Sequence, residues 1–217
     1  QDVKMFFAVT NAVFDASISS WHFKRFYDYI RPVSAIHFLF VGQQVRAWAG
    51  PFQGTQLIDG AKWQPYQAVS VVTPPFAEYV SGHSIFSGSA ARVLKLFTGS
   101  DRFGHSVIIP AGQSNVEPGS VPKDAVRLSW RTFSDAADEA GISRRYGGIH
   151  FVDGDVQARK MGKRSASRPG GKPSPISTGR PAHRWTTPDA AMLTMRTTAT
   201  IGTTETRSSR KYVLLGR

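Results

Sequence analysis

Apolar residues recur at helical spacing from Val3 to Ile30, first as Val3, Phe6, Phe7, Val13 and Phe14, then as Phe23, Phe26, Tyr27 and Ile30. The pattern predicts one long helix or two in tandem with a break at Ser19-Ser20. Pro32 disfavours the α region at the residue before it, so the helix is expected to stop at Arg31. Lys24 and Arg31, seven positions apart, then share one column at the C-terminal end, with Asp28 within pairing distance of both. Phe23, Phe26, Tyr27 and Ile30 crowd that column, which points the two cations inward rather than onto a solvated basic face. A short helical stretch over 33–40 follows, then an irregular connection through Gly42, Gly50-Pro51, Gly54 and Gly60. Residues 63–80, with Pro65 and Pro74-Pro75, read as a loop or extended segment. Ser81 is placed to cap a helix over 84–97 whose apolar face is Ile85, Phe86, Ala90, Val93, Leu94 and Phe97. Two β-favouring runs, 106–109 and 125–130, suit a small hairpin. A short helix over 133–140 is expected to end at Gly141, and His150 opens a last helix from Phe151 to about Lys163.

After Lys163 the pattern dissolves, and composition changes with it. Residues 1–163 hold 17 Lys and Arg against 13 Asp and Glu, whereas 164–217 hold 10 against 2, so most of the net +12 lies in the last quarter. That quarter is rich in Ser, Thr, Pro and Arg, and it cannot bury enough apolar surface to offset chain entropy. It is expected to be a disordered basic tail, or an aberrant one from a slipped reading frame. Its aromatic residues are too few to stack bases, so specific nucleic-acid binding is not expected. The absence of cysteine excludes disulfides, thiolate metal sites and Cys nucleophiles. No run approaches the ~18 apolar residues of a membrane span. A chain opening on Gln with no charged-then-apolar leader is expected to be a fragment or a mature product, soluble and without its targeting information, which leaves its compartment open.

Three short stretches carry candidate chemistry. In Ser143-Arg144-Arg145-Tyr146-Gly147-Gly148-Ile149-His150, a guanidinium able to fork onto two oxyanion oxygens stands six positions before an imidazole. Ser81-Gly82-His83 places a hydroxyl, a helix-start N–H and a proton donor together, a ready anion site. Lys24 and Arg31 supply two further cations. Each stretch alone is equally at home as a cap, a surface ion pair or a basic helix face.

Taken in order, Lys24-x6-Arg31-Pro32, Ser81-Gly82-His83 and Ser143-Arg144-x5-His150 resemble the three-part signature of the superfamily joining type 2 phosphatidic acid phosphatases, bacterial acid phosphatases and vanadium-dependent haloperoxidases. The wider run from Asp2 to about Lys163 looks like its soluble bacterial haloperoxidase-like branch. The resemblance implies a mainly α fold, a helical bundle of the acid phosphatase and vanadium haloperoxidase type. This bundle would be incomplete at its N-terminus, with a small β-hairpin inserted, and residues 1–163 would be the C-terminal catalytic part. It implies that Lys24, Arg31 and Arg144 neutralise the oxygens of vanadate or phosphate, that Ser81 and the Gly82 N–H donate to them, that His83 is the acid/base, and that His150 is the ligand to vanadium or the nucleophile on phosphorus. The pattern departs from the family's at two places. The Pro before Ser-Gly-His is Val80, and the acid four residues beyond the histidine is Gly154, which leaves Asp153 and Asp155 as candidates and Asp153 as the assigned one. Three functions follow: a vanadate-dependent enzyme oxidising halide with hydrogen peroxide, a phosphomonoesterase with a phosphohistidine intermediate, and a non-enzymatic basic interaction protein.

Overall fold

The computed structural model describes residues 1–68, 70 and 73–166, so the expectation for a tail over 164–217 lies almost wholly outside the described residues. Helix α1 spans Asp2–Tyr27 and α2 spans Pro32–Leu39. Strands β1 (Gln44–Trp48) and β2 (Thr55–Asp59) pair antiparallel, and a 3-10 turn covers Gly60–Lys62. Helix α3 (Gly82–Thr98) is followed by the antiparallel pair β3 (Arg102–Ile109) and β4 (Val126–Thr132), then by α4 (Phe133–Tyr146) and α5 (Val152–Ser165).

The molecule is mainly helical, with α3 packed against α1, α4 and α5. Ala16, Val80, Ile85 and Ala158 are fully buried where these helices meet, with Phe23, Tyr79, Phe86 and Met161 packed onto them. Small residues let the helices approach closely. A Cβ at Gly162 would fall 2.3 Å from the Ile85 carbonyl oxygen, so α5 crosses α3 backbone to backbone.

Three expectations are corrected. Helix α1 ends four residues before Arg31, because Asp28 takes a left-handed conformation (φ 42°) and its N–H closes on the Lys24 carbonyl. Lys24 and Arg31 are therefore not one helical column, and Asp28 is a cap rather than their shared counter-ion. Gly141 does not end α4: the helix, opened by a capping box between Thr132 and Asp135, runs on to Tyr146. A Cβ at 141 would meet Asp155 Oδ1 at 2.3 Å, so the glycine serves close packing on α5. The connection after α2, expected to be irregular, contains the β1–β2 hairpin. Its turn is held by the buried Glu117 carboxylate, which accepts from the Phe52 N–H (2.8 Å), Tyr66 Oη (2.9 Å) and Trp48 Nε1 (3.3 Å).

Candidate active site

His150 sits at the corner between α4 and α5, 7% exposed. The end of α4 winds down through Gly147 and Gly148, with the Ile149 N–H returning to the Arg144 carbonyl at 3.1 Å. Gly148 adopts φ +72°, and a Cβ there would press on the Trp63 ring at 3.0 Å. The corner thus aims the imidazole inward while Arg144 stays half-buried at the helix end, its Nε donating to Ser143 Oγ at 3.1 Å.

Two groups bracket the imidazole. On one side its Nδ1 lies 2.5 Å from Glu78 Oε1. On the other, Arg31 Nη1 lies 3.2 Å from its Nε2. A guanidinium only donates, so Nε2 is the unprotonated nitrogen and Nδ1 carries the hydrogen given to Glu78. Burial is the main force holding His150 below the usual histidine pKa; the Glu78 hydrogen bond and charge oppose it, while Arg31 and Lys24 reinforce it. The Nε2 lone pair faces the Arg31 guanidinium.

Those cations are themselves fixed by backbone. Arg31 is extended (φ −78°, ψ 153°), as the residue before Pro32 must be. Its Nε donates to the Phe76 carbonyl and its Nη1 to the Ile149 carbonyl, both at 2.8 Å. Its Nη2 is buried and has no hydrogen-bond partner among the described residues. Lys24, 3% exposed, spends two of its three donors on the carbonyls of Ala77 (2.8 Å) and Glu78 (3.0 Å). Burial, and then the Arg31 charge, bring its pKa down to about 8, with Glu78 opposing. The Phe76 ring lies under both cations, 5.2 Å from Lys24 Nζ and 5.0 Å from the Arg31 guanidinium.

Ser81 caps α3 and is fully buried, its Oγ accepting from the Ser84 N–H at 3.4 Å. That leaves the Gly82 and His83 N–H groups in the first turn without helical partners. His83 stands at the solvent edge. Partial burial, then the influence of Arg144 and His150, hold its pKa below the ordinary value. Lys24, Arg31 and His150 therefore share one buried locus around Glu78 and Phe76. Val80, where the family pattern has proline, is a fully buried core residue.

Asp153 is not the acid on His150. It is exposed on the first turn of α5, while Phe151 is extended (φ −80°, ψ 166°). His150 precedes the helix, and the helical relation between positions three apart does not hold across that corner. Asp155 is fully buried but committed elsewhere, to Ser84 Oγ (2.8 Å) and Arg159 Nε (2.7 Å). The carboxylate that serves the histidine is Glu78, which also accepts from the Phe151 N–H at 3.0 Å. A sequence signal existed for it: Glu78 is the one acidic residue between Asp59 and Asp101, in an otherwise apolar, proline-rich loop.

Among the described residues no cluster of His, Cys, Asp and Glu suits a bare metal cation. The donor set suits an anion instead. Nor is any described helix long and apolar enough to cross a membrane.

A family model described as the VCPO second helical-bundle domain matches residues 4–169. Among solved structures, the holo-type and apo-type forms of a bacterial vanadium-dependent chloroperoxidase are each similar with a TM-score of 0.69 and 28% identity over 73% of this chain. A bacterial vanadium-dependent iodoperoxidase is similar with a TM-score of 0.50 and 31% identity over 75% of it. The chain spans about a third of those proteins, 33%, 34% and 31% of their respective lengths. Comparison with curated protein sequences gives no match.

Proposed function

The chain belongs to the vanadium haloperoxidase superfamily, and on that premise we propose that it binds vanadate at the His150 corner and oxidises a halide with hydrogen peroxide. One observation carries the reading: a buried Arg31 Nη2 without a partner among the described residues lies on the same guanidinium that faces the unprotonated Nε2 of His150. An unsatisfied buried donor costs about 1–3 kcal/mol, more when charged, and a tetrahedral oxyanion bound there would satisfy it. Lys24, Arg31 and Arg144 would hold the oxyanion's charge, Ser81 Oγ and the Gly82 N–H would donate to it, and His150 Nε2 would bind vanadium. His83, at the solvent edge, would exchange protons with the site. Bound vanadate supplies a Lewis acid that activates hydrogen peroxide toward halide.

The test is one purified sample assayed for bromide-dependent halogenation with peroxide and for p-nitrophenyl phosphate hydrolysis, with and without orthovanadate. Halogenation that requires vanadate and disappears in His150→Ala is the expected result. Phosphate-ester hydrolysis inhibited by vanadate, without halogenation, would replace the halide reading with the phosphomonoesterase one. Neither activity and no vanadate binding would leave the basic interaction protein.

A further inference from the structure

We propose that Gly154 and Glu78 form one interlocked positioning device for His150, in which the side chain missing at 154 is the space that Glu78 occupies. A Cβ built on Gly154 would lie 2.2 Å from Glu78 Oε1 and 2.7 Å from both Cδ and Oε2, and these are its three nearest neighbours. The carboxylate therefore rests on bare backbone in the first turn of α5. The loop that carries it is registered on the same residue, since the Ser81 N–H donates to the Gly154 carbonyl at 2.9 Å. Its other anchor is the Glu78 N–H on the Tyr29 carbonyl, also at 2.9 Å.

From that seat Glu78 reaches across 72 positions to His150 Nδ1. Glu78 Oε1 is already an acceptor, from the Phe151 N–H, and Arg31 only donates, so between them they favour a single tautomer, with the hydrogen on Nδ1 and the lone pair on Nε2. Glu78 and Gly154 are positioning residues, not catalytic ones. A methyl group at 154 would act on the histidine by displacing Glu78. The functional consequence rests on the proposed role of His150; the coupling between 78 and 154 does not.

The experiment is a double-mutant cycle of Gly154→Ala, Glu78→Ala and the two combined, read by melting temperature and by the nitrogen NMR signature of the His150 tautomer. Gly154→Ala alone should lower the melting temperature by several degrees and deplete the Nδ1–H form. On top of Glu78→Ala it should cost nothing or raise the melting temperature, because the space is then vacant and Ala is a better helix former than Gly. Glu78→Ala combined with Gly154→Asp should restore the Nδ1–H signature and recover orthovanadate affinity at least tenfold over Glu78→Ala alone. If Glu78→Ala does not fold, Glu78→Asp is the second background, where the cost of Gly154→Ala should shrink. An equal cost in both backgrounds, or a wild-type tautomer pattern in Gly154→Ala, would overturn the proposal. Loss of coupling while wild type binds orthovanadate condemns the device alone. Intact coupling in a protein that does not bind orthovanadate condemns the functional reading alone.

Discussion

At the residue scale, the two histidines differ in what holds them. His150 is clamped between Glu78 and Arg31, whereas His83 has a pKa lowered by partial burial and by Arg144 and His150. His150→Ala should therefore abolish orthovanadate binding measured by isothermal titration. His83→Ala should leave that affinity within a few-fold while cutting turnover by 10² or more, the usual span for a lost acid/base. Lys24 adds a pH dependence whose sign follows from its pKa of about 8 against an ordinary 10.5. Between those values the folded chain holds fewer protons at Lys24 than the unfolded chain, so stability rises with pH across that window and the burial cost stands in full below it. The gain is on the order of 3 kcal/mol. Urea unfolding from pH 7 to 10.5 should show that rise in wild type and a flatter profile in Lys24→Met, while oxyanion affinity falls as pH passes about 8.

At the element scale, two glycines prove to be contact points, one of which, Gly141, read as a break. Gly141 lies inside α4, and Gly162 lets α5 cross α3 with no Cβ between them. Gly162→Ala puts a methyl group 2.3 Å from the Ile85 carbonyl oxygen, where backbone cannot yield cheaply. It should destabilise by about 3 kcal/mol, as overpacking of a tight core does, against the small helix-propensity gain Ala would give elsewhere. Chemical denaturation followed by circular dichroism checks it. The helices were legible because α3 keeps its apolar face in register and Ser81 caps it. The β1–β2 hairpin was not, because β2 shows no alternation of apolar and polar positions and β1 alternates over only the four residues Gln44 to Ala47.

At the scale of the whole molecule, the site buries Lys24 and Arg31 with the Glu78 side chain beside them, and under the proposed function Arg144 adds a third cation, an arrangement that an anion should stabilise. Orthophosphate or orthovanadate at 100 times its dissociation constant should add about 2.7 kcal/mol, seen as a raised melting temperature, with each anion competing against the other. Because α5 ends at Ser165, a chain cut after residue 166 should keep that anion response. Loss of the response on truncation would assign binding to the basic tail.

The sequence by itself determined which segments are helices, where α3 is capped, and which side chains are candidates for oxyanion chemistry, because helical periodicity, caps and motif chemistry act over a few neighbouring positions. Tertiary structure decided which acid serves His150. Spacing along the chain favoured Asp153, yet an extended Phe151 breaks the helical relation and leaves Asp153 in solvent. Glu78 takes the place from 72 positions away because Gly154 leaves room for it beside the ring. Such a match depends on the shape of two surfaces brought together by folding, and no local pattern in either segment encodes the other.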